Sequence, residues 1–151
     1  MIKNIIEIEN EIKALYGEIC EGVEDEFQTM GIDDIYFQES TPNGRPGAYV
    51  FPDEKGYHLD SVGERGGIIE QRLFNNFSDI CFELCWSLCS SISIKYASKN
   101  RIKGEDWRRV IFPKSIQLLG KISLEFAERG QAEIDKILEE NPYDDELLGN
   151  F

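Results

Sequence analysis

The chain has 151 residues, 41% of them hydrophobic and 30% charged, with a formal net charge of −13. That size and balance suit one folded domain burying roughly two-thirds of its unfolded surface, and exclude a chain disordered by composition. The charge excludes nucleic acid and anionic membranes as partners, since both are bound through clustered Lys and Arg.

What so acidic a surface favours is a basic partner drawn in at long range, with plain solubility as the alternative. No apolar run approaches the roughly 20 residues of a membrane span. The opening Met1-Ile2-Lys3-Asn4 leads into acids without a basic region or a small-residue cleavage site. No secretory signal is read there, and the expected compartment is the cytoplasm.

Ile5, Ile8, Ile12, Leu15, Ile19, Val23 and Phe27 recur at three- and four-residue steps, which predicts an amphipathic helix over 1–31. Gly17 and Gly22 weaken it, and Gly31 is its expected stop. Residues 33–74 then alternate short β-prone runs with turn formers: Ile35-Tyr36-Phe37, Ala48–Phe51, Tyr57–Val62 and Ile68–Phe74. The turns between them are dense in Pro, Asn, Asp and Gly, so an antiparallel meander of three or four strands is expected.

The segment 75–140 reads as helical. Asn76-Phe77-Ser78-Asp79 resembles a capping box, and the helix it opens is apolar around most of its circumference, so it is the expected central packing element. Asp106 can cap the next helix, whose stripe is Trp107, Val110, Ile111, Leu118, Leu119, Ile122 and Phe126, and which Pro113 must kink or split. A last helix carries Ala132, Ile134, Ile137 and Leu138 and stops at Asn141-Pro142, leaving an acidic tail over 141–151. The expected fold is α+β: a small antiparallel meander packed against four to five helices in one domain.

Cys81, Cys85 and Cys89 recur every fourth residue, on one side of the central helix, where Cys acts as a small hydrophobe. A thiolate metal site would want a CxxC or a nearby His, and the one His, His58, is far away in sequence. Core thiols are expected, with no metal and no cofactor. There is no GxSxG elbow or P-loop, and Gly63-Glu64-Arg65-Gly66-Gly67 lacks dinucleotide-fingerprint spacing. The chain is therefore read as a binding protein with no catalytic residues.

Counted by segment, 1–30, 31–74 and 105–151 are each net acidic, and only 75–104 holds more bases than acids. Three clusters are candidate partner-binding patches: Glu24-Asp25-Glu26 leading to Asp33-Asp34; the Asp53-Glu54 turn; and Glu139-Glu140 with Asp144-Asp145-Glu146. For any one of them a solvated face is the bland alternative.

Further residues carry a resemblance. Tyr57-His58-Leu59, then Glu64-Arg65-Gly66, with Asp106-Trp107-Arg108-Arg109, Gln117-Leu118-Leu119-Gly120 and Asn141-Pro142-Tyr143-Asp144-Asp145, resemble the signature of a bacterial immunity-protein family, immunity protein family sixty-three, over roughly 45–146. Leu59 stands where that pattern has an aromatic, and Phe126 where it has a Trp.

The resemblance implies a cytoplasmic protein without cofactor or catalytic residues. Such a protein neutralises a cognate toxin domain of a contact-dependent inhibition or other polymorphic-toxin system, commonly a basic nuclease. The motif residues Tyr57, Glu64, Arg65, Gly66, Trp107, Arg108 and Arg109 then serve the fold, with Glu64, Arg65, Arg108 and Arg109 in ion pairs. Two other readings stand beside it. One is an acidic nucleic-acid mimic that inhibits a host enzyme, which would explain the charge and not the motifs. The other is a small anion-binding module built from His58, Arg65 and Arg72. Nothing in the sequence specifies the oligomeric state.

Overall fold

The computed structural model describes residues 1–28 and 34–149. Gly31, the expected helix stop, and Asp33 lie outside the described residues. The elements are α1 (Ile5–Cys20), a 3-10 turn (Asp25–Phe27), β1 (Ile35–Tyr36), β2 (Gly47–Asp53), β3 (Gly56–Val62), β4 (Ile68–Phe74), α2 (Phe77–Asn100), α3 (Arg108–Gly120), α4 (Leu124–Glu140) and α5 (Asp145–Leu148). The architecture is the α+β arrangement expected. The chain divides into two compact units, Met1–Tyr16 with Met30–Leu84, and Gly17–Thr29 with Cys85–Phe151.

In the first unit the strands lie in the order β1-β2-β3-β4. β2, β3 and β4 form the antiparallel meander, pairing Phe51 with His58 and His58 with Leu73. β1 departs from the antiparallel expectation: it runs parallel to β2, Ile35 beside Ala48 and Tyr36 beside Tyr49. The reason is the length of 37–46. Too long for a tight hairpin turn, it carries the chain back to the end of the sheet where β1 began.

Residues alternate faces along a strand. On one face Val50, Tyr57 and Leu59 are buried. There the Tyr57 hydroxyl accepts the Lys3 N–H at 3.0 Å, its ring lies 5.4 Å from that of Phe77, and Arg72 donates to Glu83 at 3.0 Å. The start of the chain and the first turns of α2 thus cover this face. On the other, Tyr49 and Asp60 lie under the 36–45 segment: Tyr49 donates to the Arg45 carbonyl at 2.8 Å, and Ser40 to Asp60 at 2.6 Å.

α1 stops at Cys20, well short of Gly31, because Gly22 takes φ +76°, the left-handed conformation that ends helices. In the second unit the Lys121 amine donates to the carbonyls of Ile19 (2.9 Å) and Glu21 (2.7 Å). A cation there meets the negative end of the helix dipole. Gly17, inside α1, has open space where a side chain would start. Gly17→Ala is therefore expected to stabilise the protein by about 0.5–1 kcal/mol, seen as a higher urea midpoint.

Also in the second unit, Ala97, Ile111, Phe112 and Ile134 form a buried cluster, flanked by Trp86, Trp107 and Tyr143. Pro113 sits inside α3 without splitting it. The break comes later, where Ser123 turns extended and its hydroxyl accepts the Phe126 N–H at 3.1 Å. Phe126, expected on the α3 stripe, consequently opens α4. α3 and α4 approach closely at Gly130, where a Cβ would come within 2.4 Å of the Leu119 side chain.

α2 corrects the membrane reading in one respect. By length and composition this helix reaches what a span requires, although half of its apolar window is buried inside the protein. Cys81, Cys85 and Cys89 are buried along it as expected, and none of the four cysteines is in a disulfide. Burial first, then nearby Glu11, pushes the Cys81 thiol up to about 12; burial, then Cys20, does the same for Cys89.

Candidate functional site

The three acidic clusters differ in how much of their charge the fold already uses. In the first, Glu26 pairs with Lys99, whose amine also stands over the Phe27 ring at 6.0 Å. That hydrogen bond holds the Glu26 carboxyl below its ordinary range, while its bond to Glu26 pushes Glu24 above. Glu24 and Asp25 remain at the surface, and Glu24 lines a cavity of about 220 Å³ together with Phe27, Ile92, Tyr96 and Lys114. Asp34 is exposed and belongs to the other unit.

In the second cluster, Asp53 is spent within its own hairpin. Its Oδ1 accepts the Lys55 N–H at 2.8 Å, and its Oδ2 lies 2.7 Å from His58 Nε2. His58 in turn stacks on Phe51, ring centroids 4.7 Å apart. Glu54, at the tip, stays exposed. This arrangement dissolves the anion-binding trio. His58 pairs with Leu73 across β3 and β4, so it faces away from Arg72, which is bonded to Glu83 and Glu70.

The third cluster is tied to the family-like motif. Asp106 has a fully buried carboxylate whose bonds span the second unit's C-terminal part. Its Oδ2 accepts from Arg108 Nη2 at 2.8 Å and from the Asp144 N–H at 3.0 Å, and its Oδ1 accepts from the Arg108 N–H at 2.9 Å. Burial pushes this carboxyl up, but the bonds from Arg108 and Asp144 outweigh it and hold it below its ordinary 3.8.

Arg108 also donates to the carbonyls of Asn141 and Pro142, both at 2.8 Å. Arg109 lies over Tyr143 at 4.2 Å and donates to Asp145 at 2.9 Å; Asp145 in turn accepts the Asp106 N–H at 2.7 Å. Asp144 caps α5 by accepting the Leu147 N–H at 2.9 Å. The ion pairs expected of Arg108 and Arg109 are thus formed, and two of the acids in the third candidate patch, Asp144 and Asp145, are bonded within the network while Asp144 stays exposed and Asp145 half-buried.

Those expected of Glu64 and Arg65 are not: both side chains are exposed, and neither makes an ion pair among the described residues. Gly66 performs the structural task of that motif instead, with φ +79° and a carbonyl that accepts the Asn43 N–H at 3.0 Å. Tyr57 is buried against α2 as described.

Glu139, Glu140, Asp144 and Glu146 of the third cluster are exposed. Beside them is a groove of about 590 Å³ whose apolar lining includes Trp107, Ile137, Leu147 and Leu148, with Glu140 and Asp144 also on its wall. Leu147 is 65% exposed. The sequence does not announce this groove, because α5 falls within the segment expected to be an acidic tail. Among the described residues, no group of three His, Cys, Asp or Glu side chains is placed to hold a metal ion.

Comparison with known proteins gives one family: the model described as Immunity protein 63 matches residues 53–136, more than half of the chain. No curated protein and no solved structure matches.

Proposed function

The chain belongs to the immunity protein 63 family, and from that premise we propose that it binds and neutralises a basic nuclease domain of a contact-dependent inhibition or related polymorphic-toxin system, in the cytoplasm. Membership supports a toxin-neutralising inhibitor rather than an enzyme. The observation that carries the finer reading is the net charge of −13, with Glu24, Asp25, Glu54, Glu139 and Glu140 exposed at the surface. An inhibitor of this kind covers a nuclease by setting carboxylates where phosphates would lie. Glu139 and Glu140, next to the apolar groove bordered by α4 and α5, combine that charge with anchoring pockets for apolar side chains, as interface centres do.

The test is growth rescue by co-expression with the toxin domain encoded immediately upstream, followed by binding measurements. Rescue is expected, with a complex that weakens as salt rises. Glu139→Lys with Glu140→Lys is expected to lower affinity at least about tenfold while the fold, followed by circular dichroism, is unchanged. Unchanged affinity moves the interface off this groove, and a toxic domain neither bound nor neutralised removes the immunity reading for that pair.

A further inference from the structure

β4 ends the sheet, and its outer edge carries large apolar side chains in water: Ile68 is 41% exposed, Ile69 74% and Leu73 49%. Proteins usually blunt such an edge, because its unpaired N–H and C=O groups are a template for another strand. Here the sequence along the edge is self-complementary. Ile68-Ile69-Glu70-Gln71-Arg72-Leu73-Phe74 places apolar residues at both ends, opposite charges either side of the centre, and Gln71 in the middle.

We propose that β4 pairs with β4 of a second copy of this chain, antiparallel and centred on Gln71, to make a two-fold dimer with a continuous eight-stranded sheet. In that register Glu70 faces Arg72 of the other copy, twice by symmetry, and Leu73 meets the apolar end Ile68-Ile69, where β4 carries a register shift against β3. Within the chain Arg72 reaches Glu83 at 3.0 Å and Glu70 at 3.4 Å, so pairing exchanges the longer of these contacts for the same one across the two-fold. Shifting the register by two residues sets Arg72 against Arg72 or Glu70 against Glu70, so charge selects the Gln71 centre.

The charge of −13 on each copy opposes association at long range, whereas the edge pairs act at contact. Salt screens the first over roughly 10 Å at 0.1 M and leaves backbone pairing and apolar burial intact. Dimerisation therefore strengthens with added salt, the opposite of the trend for a basic toxin. The two readings fail independently.

Sedimentation equilibrium of the full chain is the test, over a concentration series at 50 and 500 mM NaCl. A reversible dimer is expected, tighter at high salt, and weakened at least tenfold by Leu73→Lys, a change at a half-exposed position that leaves folding intact. Gln71→Cys gives an independent readout. The two-fold axis sets the two sulfurs within disulfide reach, so mild oxidation links two chains covalently, which the wild type under the same treatment does not do. A monomer at every concentration and salt overturns the proposal. So does a dimer indifferent to Leu73→Lys or left unlinked by Gln71→Cys. If the wild type is monomeric and Leu73→Lys instead weakens toxin binding, the edge belongs to the toxin.

Discussion

Arg108→Ala is expected to destabilise the protein by roughly 3–5 kcal/mol, the cost of leaving a buried carboxylate without its cation. Asp106 has no exposed side-chain surface, and its remaining partners would be the N–H groups of residues 108 and 144. The same guanidinium holds the carbonyls of Asn141 and Pro142, so its loss also frees the chain between α4 and α5. For a chain of this size the melting midpoint falls by about 6–20 °C. Arg108→Lys keeps the charge and loses the two-pronged geometry, and should recover less than half of the deficit. A midpoint within a degree of wild type for Arg108→Ala would mean that this network is not what fastens the C-terminal part.

The pH dependence follows from the same carboxylate. Asp106 is held below its ordinary 3.8 in the folded state. A depressed carboxyl contributes stability that is fully present above the unfolded value and is lost as pH falls through the folded one. Urea midpoints should therefore decline from about pH 4 downward, and the decline should be shallower in Asp106→Asn, which has no charge to lose.

Gly66→Ala has the second-largest expected effect, about 2–3 kcal/mol. Two costs coincide. The backbone is in the left-handed region at φ +79°, and an added Cβ would sit 2.7 Å from the Asn43 Cα, a backbone atom that cannot swing aside. Relief requires moving the 36–45 segment, which also covers Tyr49 and Asp60. Urea unfolding measures the loss, and Gly67→Ala, where the added carbon meets nothing within 4 Å, is the control. Equal midpoints for the two variants would show that the approach to Asn43 is soft.

Much of the fold was legible because its signals are local. Turn residues around 52–56 and 63–67 mark the hairpins, and the apolar circumference of 77–92 marks a buried helix. What was not legible depends on distant partners. A two-residue strand such as β1 carries no periodicity, so its parallel pairing is decided by where 37–46 returns the chain. The end of α1 turned on Gly22 against Gly31, and only the backbone's choice of a positive φ decided it. Of the two outcomes expected at Pro113, a kink or a split, the split does not occur: α3 runs on through it. For the candidate site, the charge was legible but not its allocation. Asp144 and Asp145 look like free acids in sequence, yet each is bonded to groups contributed by residues 106–109 or α5.

The buried thiols of α2 have a practical consequence. With their pKa values near 12, Cys81 and Cys89 hold only about one thiolate in 10⁴–10⁵ at neutral pH, and thiolate is the form that alkylates. Each therefore reacts only when its surroundings come apart, which makes it a clock for local opening. Cys81 belongs to the first compact unit and Cys89 to the second. The chain thus carries, without any engineering, at least one timekeeper for each half of its fold.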